Sequence, residues 1–217
     1  MKKSWAIFFP PVCPFCREIV ANTSQCCEKC EKKLPFIGEK YCHKCGKQLP
    51  IEQFELCGDC KKNLHYFKKG RAVFIHEGPM KDAIYALKYE NKRMFADFFA
   101  EEIDRVLGTW IRTEGFSAII PIPLSKAKQK SRGYNQAELL GEQLSKKTGI
   151  PLRLDVVVRT NDTAPQKLLG HSERKNNLKN AFKTMQDGLQ LDRVLLIDDI
   201  YTTGNTIDAV ARELILD

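Results

Sequence analysis

The sequence predicts an α/β protein in which helices flank a parallel sheet and a small cysteine-rich module precedes them. Three observations indicate this class. All nine cysteines fall between residues 13 and 60, strand-like and helix-like segments alternate from residue 71 onward, and the apolar run 194–197 ends in two adjacent carboxylates. Alternating strands and helices favour a parallel sheet covered on both faces. We therefore expect a zinc-binding module at 1–65 and an α/β domain at 66–217.

The composition limits the class of protein further. A chain of 217 residues, 43% of them hydrophobic, can bury one sizeable core beside a small module. No stretch approaches the roughly 18 apolar residues of a membrane span, and the first apolar stretch is shorter than the signal-peptide core of about 7 to 15 residues. We expect a cytoplasmic protein without a membrane span. The formal net charge of +8 permits contact with nucleic acid or phosphorylated ligands, although mildly basic soluble proteins are common.

The cysteine module contains four CxxC pairs, a spacing that delivers two sulfur ligands to one tetrahedral zinc ion. The predicted ligands are Cys13, Cys16, Cys27, Cys30, Cys42, Cys45, Cys57 and Cys60. Near-equal gaps favour two successive zinc ribbons, and interleaved pairing of first with third and second with fourth stays open. Four sulfurs leave no coordination position for an activated water, so the predicted zinc is structural. Cys26 is left over, and we interpret it as an unligated neighbour of Cys27.

The α/β domain is predicted from apolar periodicity. Predicted strands are 72–75, 117–123, 152–158 and 193–198, and predicted helices are 79–90, 93–112, 135–147 and 205–216. The second of these helices repeats apolar side chains at helical spacing, which predicts a buried face. That face consists of Phe95, Phe98, Phe99, Ile103, Val106 and Trp110.

The last predicted strand and helix are joined by a stretch that suits a sugar phosphate. Asp198 and Asp199 end the strand, and Thr202–Thr206 leads into the helix. Backbone N–H groups at a helix start lack helical partners and attract phosphate together with the helix dipole, and Gly204 permits close approach. Carboxylates repel a phosphate but accept hydrogen bonds from sugar hydroxyls. The stretch therefore predicts a ribose 5-phosphate pocket.

The stretch VLLIDDIYTTGNT resembles the signature of type I phosphoribosyltransferases, which bind phosphoribosyl pyrophosphate. Three further stretches resemble the ComF (ComFC) family associated with bacterial competence: IHEGPMKDAIYALKY, IIPIPLSKAKQKSRGYNQAELL and RTNDTAPQKLLGHSERKNNLKNAF. With the cysteine module in front of them, the resemblance extends over essentially the whole chain. It implies the type I phosphoribosyltransferase fold for the α/β domain.

The resemblance also implies roles for the matching positions. Asp198 and Asp199 would hold the ribose hydroxyls and, in catalysis, stabilise positive charge on the sugar. Mg²⁺ would bridge pyrophosphate and ribose hydroxyls. The implied 5-phosphate contacts are Tyr201, Thr202, Thr203, Gly204, Asn205 and Thr206, and the implied pyrophosphate contacts are Pro123, Leu124, Ser125 and Arg132. The polar segment 159–174 occupies the place of the flexible hood, the segment that closes over the site in phosphoribosyltransferases of this type.

Some positions have two interpretations. Lys88 and Tyr89 can contact a ligand, or can be a surface lysine beside a packed ring. Asn135 can contact ligand or cap the following helix. The basic residues that follow Ser125 can neutralise pyrophosphate, face water or face a nucleic-acid backbone.

Two functions follow from the resemblance. In the first, the protein binds phosphoribosyl pyrophosphate and takes part in DNA uptake during natural transformation. Its partners would be single-stranded DNA and competence DNA-uptake proteins such as the ATP-driven DNA translocase. In the alternative, it is a nucleotide-salvage phosphoribosyltransferase that transfers a phosphoribosyl group to a base and releases pyrophosphate.

Overall fold

The structure is a computed structural model that describes residues 10–21, 25–52, 55–160, 181–185 and 191–216. Its amino-terminal cysteine module consists of two copies of one small unit. In each unit a β-bridge, Val12 with Ile19 or Tyr41 with Gln48, brackets a tight turn. A short helix follows each bridge, and these helices are α1 (Glu28–Glu31) and α2 (Gly58–Lys62).

The rest of the chain has the α/β composition that the sequence predicts. The helices are α3 (Pro79–Tyr89), α4 (Phe95–Thr113), α5 (Lys126–Arg132), α6 (Gln136–Thr148) and α7 (Asn205–Leu216). The strands are β1 (Ala118–Pro121), β2 (Val157–Arg159), β3 (Phe182–Thr184) and β4 (Val194–Ile197). All four predicted helices are present. The fifth, α5, replaces the predicted basic loop, because Ser125 Oγ accepts a hydrogen bond from Lys128 N at its start and Gly133 ends it at a φ of +76°.

The central strand pair is parallel, as predicted. β1 and β4 run in register from Ala118 opposite Val194 to Pro121 opposite Ile197. Because the two strands are parallel, the segments that follow them leave the sheet at the same edge. The hydrogen bond from Ile122 N to Ile197 O, 2.9 Å long, extends the pairing to that edge.

Two strand predictions were wrong in extent. The predicted strand 152–158 is divided, because Leu154 is 52% exposed and residues 154–156 bend away. Only Leu152 pairs with β1, through a bridge to Ile119, while β2 pairs antiparallel with β3. The predicted strand 72–75 is reduced to a bridge between Phe74 and Phe36, so that it pairs with the cysteine module rather than with the sheet.

The main core lies between α3, α4, α6 and the sheet. Phe95, Phe98 and Phe99 of α4 are buried in it, which confirms most of the predicted stripe. Val106 is 44% exposed, so the prediction was wrong at that position. The first cysteine unit packs here too, with the Phe15 ring edge-on to Phe98 at 5.4 Å between ring centres.

The second cysteine unit packs against α7. Its buried cysteines share a cluster with Ala211, Ile207 and Tyr201. The linker that follows is fixed to the same helix, since the Asp208 carboxylate contacts His65 Nδ1 at 3.1 Å and accepts a hydrogen bond from Tyr66 N at 2.7 Å. This arrangement puts the second unit directly beside the predicted phosphate turn. None of the helices in the described residues is both long and apolar enough to cross a membrane.

Candidate functional site

The eight predicted zinc ligands form two groups of four. The first cluster is Cys13, Cys16, Cys27 and Cys30, and the second cluster is Cys42, Cys45, Cys57 and Cys60. Within each cluster the four sulfur atoms lie within 4.8 Å of one another, close enough to share one ion. The pairing is therefore sequential, and the interleaved alternative was wrong. Two four-sulfur sites support structural zinc.

The thiols of each cluster differ in acidity. Burial opposes ionisation of Cys13 and Cys42, but backbone N–H donors outweigh it and lower the pKa of each thiol to about 6. Burial and neighbouring sulfur atoms raise the pKa of Cys30 to about 12 and that of Cys45 to about 11. Each cluster thus contains one readily ionised sulfur, and the positive charge of a bound metal ion would favour ionisation of thiols such as Cys30 and Cys45.

Cys26 lies next to the first cluster without being one of its four ligands. Its Sγ atom is 3.8 Å from that of Cys13. Burial and the neighbouring thiols raise the pKa of Cys26. It is therefore a neutral thiol in contact with the first cluster.

The two predicted acids lie where β4 leaves the sheet. Asp198 Oδ1 accepts a hydrogen bond from Asp199 N at 2.8 Å. Burial, followed by the charge of Asp199, raises the pKa of Asp198 to about 7, although Lys88 and Lys128 oppose the shift. The Asp199 carboxylate forms an ion pair with Lys88, with 2.9 Å between Nζ and Oδ1. Lys88 of α3 therefore belongs to the site, where the sequence had left two interpretations open.

The predicted phosphate turn forms a small pocket. Asp198 and residues 200–207 line it. Gly204 has a φ of +79°, a conformation that favours glycine, and α7 begins directly after it. Thr203 and Thr206 are partly exposed and Thr202 is exposed, so these residues are accessible to solvent. The acids and the phosphate turn border one another, as the contiguous motif predicts.

The Tyr201 side chain packs against the second cluster and lies close to Gly204 of the turn. Its ring meets Phe67 edge-on with 6.2 Å between centres, and Lys47 Nζ lies 5.5 Å from the ring centre. Burial, followed by the charges of Cys45 and Cys60, raises the pKa of its phenol. Tyr201 therefore connects the phosphate turn to the zinc module.

The predicted pyrophosphate contacts follow β1. Pro123 and Leu124 are half-buried, and Ser125 uses its hydroxyl to cap α5. Arg132, at the end of α5, is held in place by two hydrogen bonds, to Gln136 Oε1 at 2.7 Å and to the Tyr89 hydroxyl at 2.9 Å.

Asn135 has the structural role that the sequence left open. Its side chain accepts a hydrogen bond from Ala137 N at 3.0 Å and donates one to Ile122 O at 2.9 Å. It caps α6 and ties that helix to the end of β1. Because both hydrogen-bonding ends of the buried amide are occupied, the Asn135 side chain has a structural role at the start of α6.

Comparisons with known proteins cover both parts of the chain. Residues 5–61 match the family described as a double zinc ribbon domain. The chain is 42% identical over 99 residues to competence protein F of Haemophilus influenzae, covering 45% of this chain and 43% of that protein. It is 31% identical over 140 residues to DNA utilization protein YhgH of Escherichia coli strain K12, covering 63% of this chain and 61% of that protein.

A third relative is competence protein ComFC of Bacillus subtilis, which is 28% identical over 149 residues, covering 68% of this chain and 58% of that protein. These matches confirm the resemblance to the ComF/ComFC family. The chain spans less than two thirds of the length of each of these three relatives.

In this ComF/ComFC-like chain most of the predicted hood, residues 159–174, lies outside the described residues. Arg159 is described, and its guanidinium lies 5.3 Å from the centre of the Phe182 ring. Sequence reasoning did not assign Arg159 or Gln136 to the site, and it left Lys88 undecided. All three lie within the stretches that resemble the ComF/ComFC family, but the resemblance of a stretch does not say which of its side chains reach the site.

Proposed function

We propose that this protein binds phosphoribosyl pyrophosphate together with Mg²⁺ and takes part in DNA uptake, with single-stranded DNA as a second ligand. One observation carries the first half of the proposal. Asp198 and the turn at Gly204 line a single pocket at the end of β4, and Asp199 follows Asp198 directly in the chain. A sugar phosphate suits this arrangement, because its hydroxyl groups can donate hydrogen bonds to the carboxylates and its phosphate can accept them from the N–H groups of the turn.

The positive charges near the pocket suit the pyrophosphate group of the proposed ligand. The turn after β1 leaves the sheet beside Asp198, because β1 and β4 are parallel and in register. Lys128 and Arg132 of α5 follow this turn. The pKa of Lys128 is lowered, first by desolvation and then by the positive charges of Arg159, Arg132 and Lys88. Cations held this close to one another are stabilised by a multiply charged anion.

The residues present also fit Mg²⁺. Carboxylate, hydroxyl and phosphate oxygens are the ligands that Mg²⁺ prefers, and the ion keeps several waters because it dehydrates reluctantly. Asp198 and Asp199 would hold the ribose hydroxyls that face it. In that role both side chains accept hydrogen bonds and orient the sugar.

The ligand proposal is tested by calorimetry with phosphoribosyl pyrophosphate and Mg²⁺. We expect measurable binding to the wild type, and a loss of about 100-fold or more in the Asp198→Asn, Asp199→Asn double variant, since two charge-assisted hydrogen bonds are weakened. Asp192→Asn is the matched control, because Asp192 is exposed just before β4. Equal affinity of the double variant and the wild type, both folded by thermal melting, would rule out this pocket as the site.

The DNA half of the proposal rests on the relatives and on one surface. Proteins named for competence and DNA utilization are similar to this chain. After the second cluster, Tyr66 is 54% exposed. Exposed lysines flank it, namely Lys61, Lys62, Lys68 and Lys69. An exposed ring among lysines suits single-stranded DNA, whose bases stack on aromatic rings while its phosphates meet the cations.

We expect single-stranded DNA to bind with an affinity that falls as salt rises, because bound lysines release counterions from the DNA. Tyr66→Ala is expected to weaken binding by about fivefold or more through lost stacking. Tyr85→Ala is the control, since Tyr85 is 56% exposed but lies on α3. Fluorescence anisotropy at several salt concentrations measures both effects. Binding that is absent at low salt would refute direct DNA contact, and equal losses in the two variants would refute the Tyr66 surface.

A further inference from the structure

Lys88 makes one of the most enclosed ion pairs in the described residues. The side chains of Lys88 and Asp199 are 14% and 12% exposed. Exposed ion pairs are mobile and contribute little, whereas an enclosed pair fixes both groups. Lys88 therefore fixes the direction of the Asp199 carboxylate, one of the two groups expected to hold the ribose.

The ammonium group of Lys88 has more donors than this pair uses. A lysine carries three N–H donors, and the described contact with Asp199 accounts for one of them. The adjacent residue, Tyr89, holds Arg132 against the end of α3, because the Tyr89 hydroxyl accepts a hydrogen bond from Arg132 at 2.9 Å. Lys88 thus pairs with Asp199 and also lies close enough to Lys128 of α5 to lower the pKa of that lysine.

The charge balance of this region favours an anion. The charges of Lys88, Arg132 and Arg159 all act on Lys128 there, so four cations stand against the two carboxylates at the end of β4. The ion pair between Lys88 and Asp199 therefore leaves an excess of positive charge in this region.

We infer that Lys88 is a positioning residue that holds Asp199 toward the ribose and also contacts the pyrophosphate of the same ligand. It thereby makes binding selective for a sugar that carries both 5-phosphate and diphosphate groups. The inference rests on the proposed function and deepens it, because it names the residue that distinguishes phosphoribosyl pyrophosphate from ribose 5-phosphate.

Calorimetry with these two ligands tests the inference on the full chain. Lys88→Met is expected to lower the affinity for phosphoribosyl pyrophosphate with Mg²⁺ at least about tenfold more than the affinity for ribose 5-phosphate. Lys88→Arg keeps the charge and is expected to restore most of the difference. Lys81→Met, on the exposed side of α3, is the control and is expected to bind both ligands as the wild type does. Lys88→Gln replaces Lys88→Met if thermal melting shows that the latter is unfolded.

The outcomes separate the two proposals. If the wild type binds neither ligand, the proposed function fails and the role of Lys88 fails with it. If the wild type binds phosphoribosyl pyrophosphate and the Lys88 variants lose both ligands equally, Lys88 acts through Asp199 alone, and the pyrophosphate contact is refuted. If the Lys88 variants lose neither ligand, both of its assigned roles are refuted.

Discussion

Replacing Cys60 with serine is expected to remove zinc from the second cluster and, with it, most of the affinity for phosphoribosyl pyrophosphate. Structural zinc sites contribute about 10 to 16 kcal/mol of binding free energy in small peptides, so their loss unfolds the local structure. The second cluster shares its packing with Tyr201, Ile207 and Ala211. Unfolding it removes the support under the phosphate turn, and we expect affinity to fall about tenfold or more.

Cys16→Ser is the matched control for this prediction. Cys16 belongs to the first cluster, which packs against α4 through Phe15 and Arg17 rather than against the turn. This variant is expected to lose one zinc as well, but to keep most of its ligand affinity. Zinc content by atomic emission, thermal melting and calorimetry together measure the difference. Wild-type affinity in a Cys60→Ser protein that has lost its second zinc would contradict the coupling.

The Gly204→Ala variant is expected to lose ligand affinity by about tenfold or more and stability by about 1 to 3 kcal/mol. Two effects add. The backbone φ of +79° strains any residue that has a Cβ atom, and that atom would lie 2.4 Å from the Tyr201 hydroxyl oxygen and 2.8 Å from its Cζ atom. The Tyr201 ring is enclosed by the second cluster and Phe67, so the turn has to shift instead.

Gly149→Ala separates these two effects. Gly149 ends α6 at a φ of +75°, and a Cβ atom there meets nothing within 4 Å. We expect this variant to lose about 1 kcal/mol through backbone strain alone and to bind phosphoribosyl pyrophosphate as the wild type does. Denaturant unfolding and calorimetry on both variants measure the difference. Identical stability and affinity in the two variants would contradict a steric role for Tyr201 at the turn.

Sequence reasoning succeeded where the determinants are contiguous. The CxxC spacing predicted the zinc ligands, because two sulfurs on one tight turn reach one ion without help from the rest of the fold. Asp198 and the turn were predicted to lie together because they follow one another within residues 198–206, and the structure places them at one pocket, whose ligand stays a prediction. The helices were predicted because their apolar periodicity is strong.

Predictions failed where the outcome depends on residues far apart in the chain. β2 pairs antiparallel with β3, and no local pattern at 157–159 indicates a partner at 182–184. The direction of the Tyr201 side chain depends on where the second cluster packs, and the place of Lys88 depends on how α3 packs beside β4. These are contacts of tertiary structure, which periodicity does not encode.

The contact between His65 and Asp208 spans 143 positions of sequence. Closing so long a loop costs conformational entropy, and contacts between distant parts of a chain form late in folding. Ribosomal synthesis completes the second cluster well before α7 emerges, so the stacked rings of His65 and Phe67 remain in water during that interval. We therefore expect assembly to proceed in a fixed order. The second cysteine unit binds its zinc ion first, and it packs against α7 last.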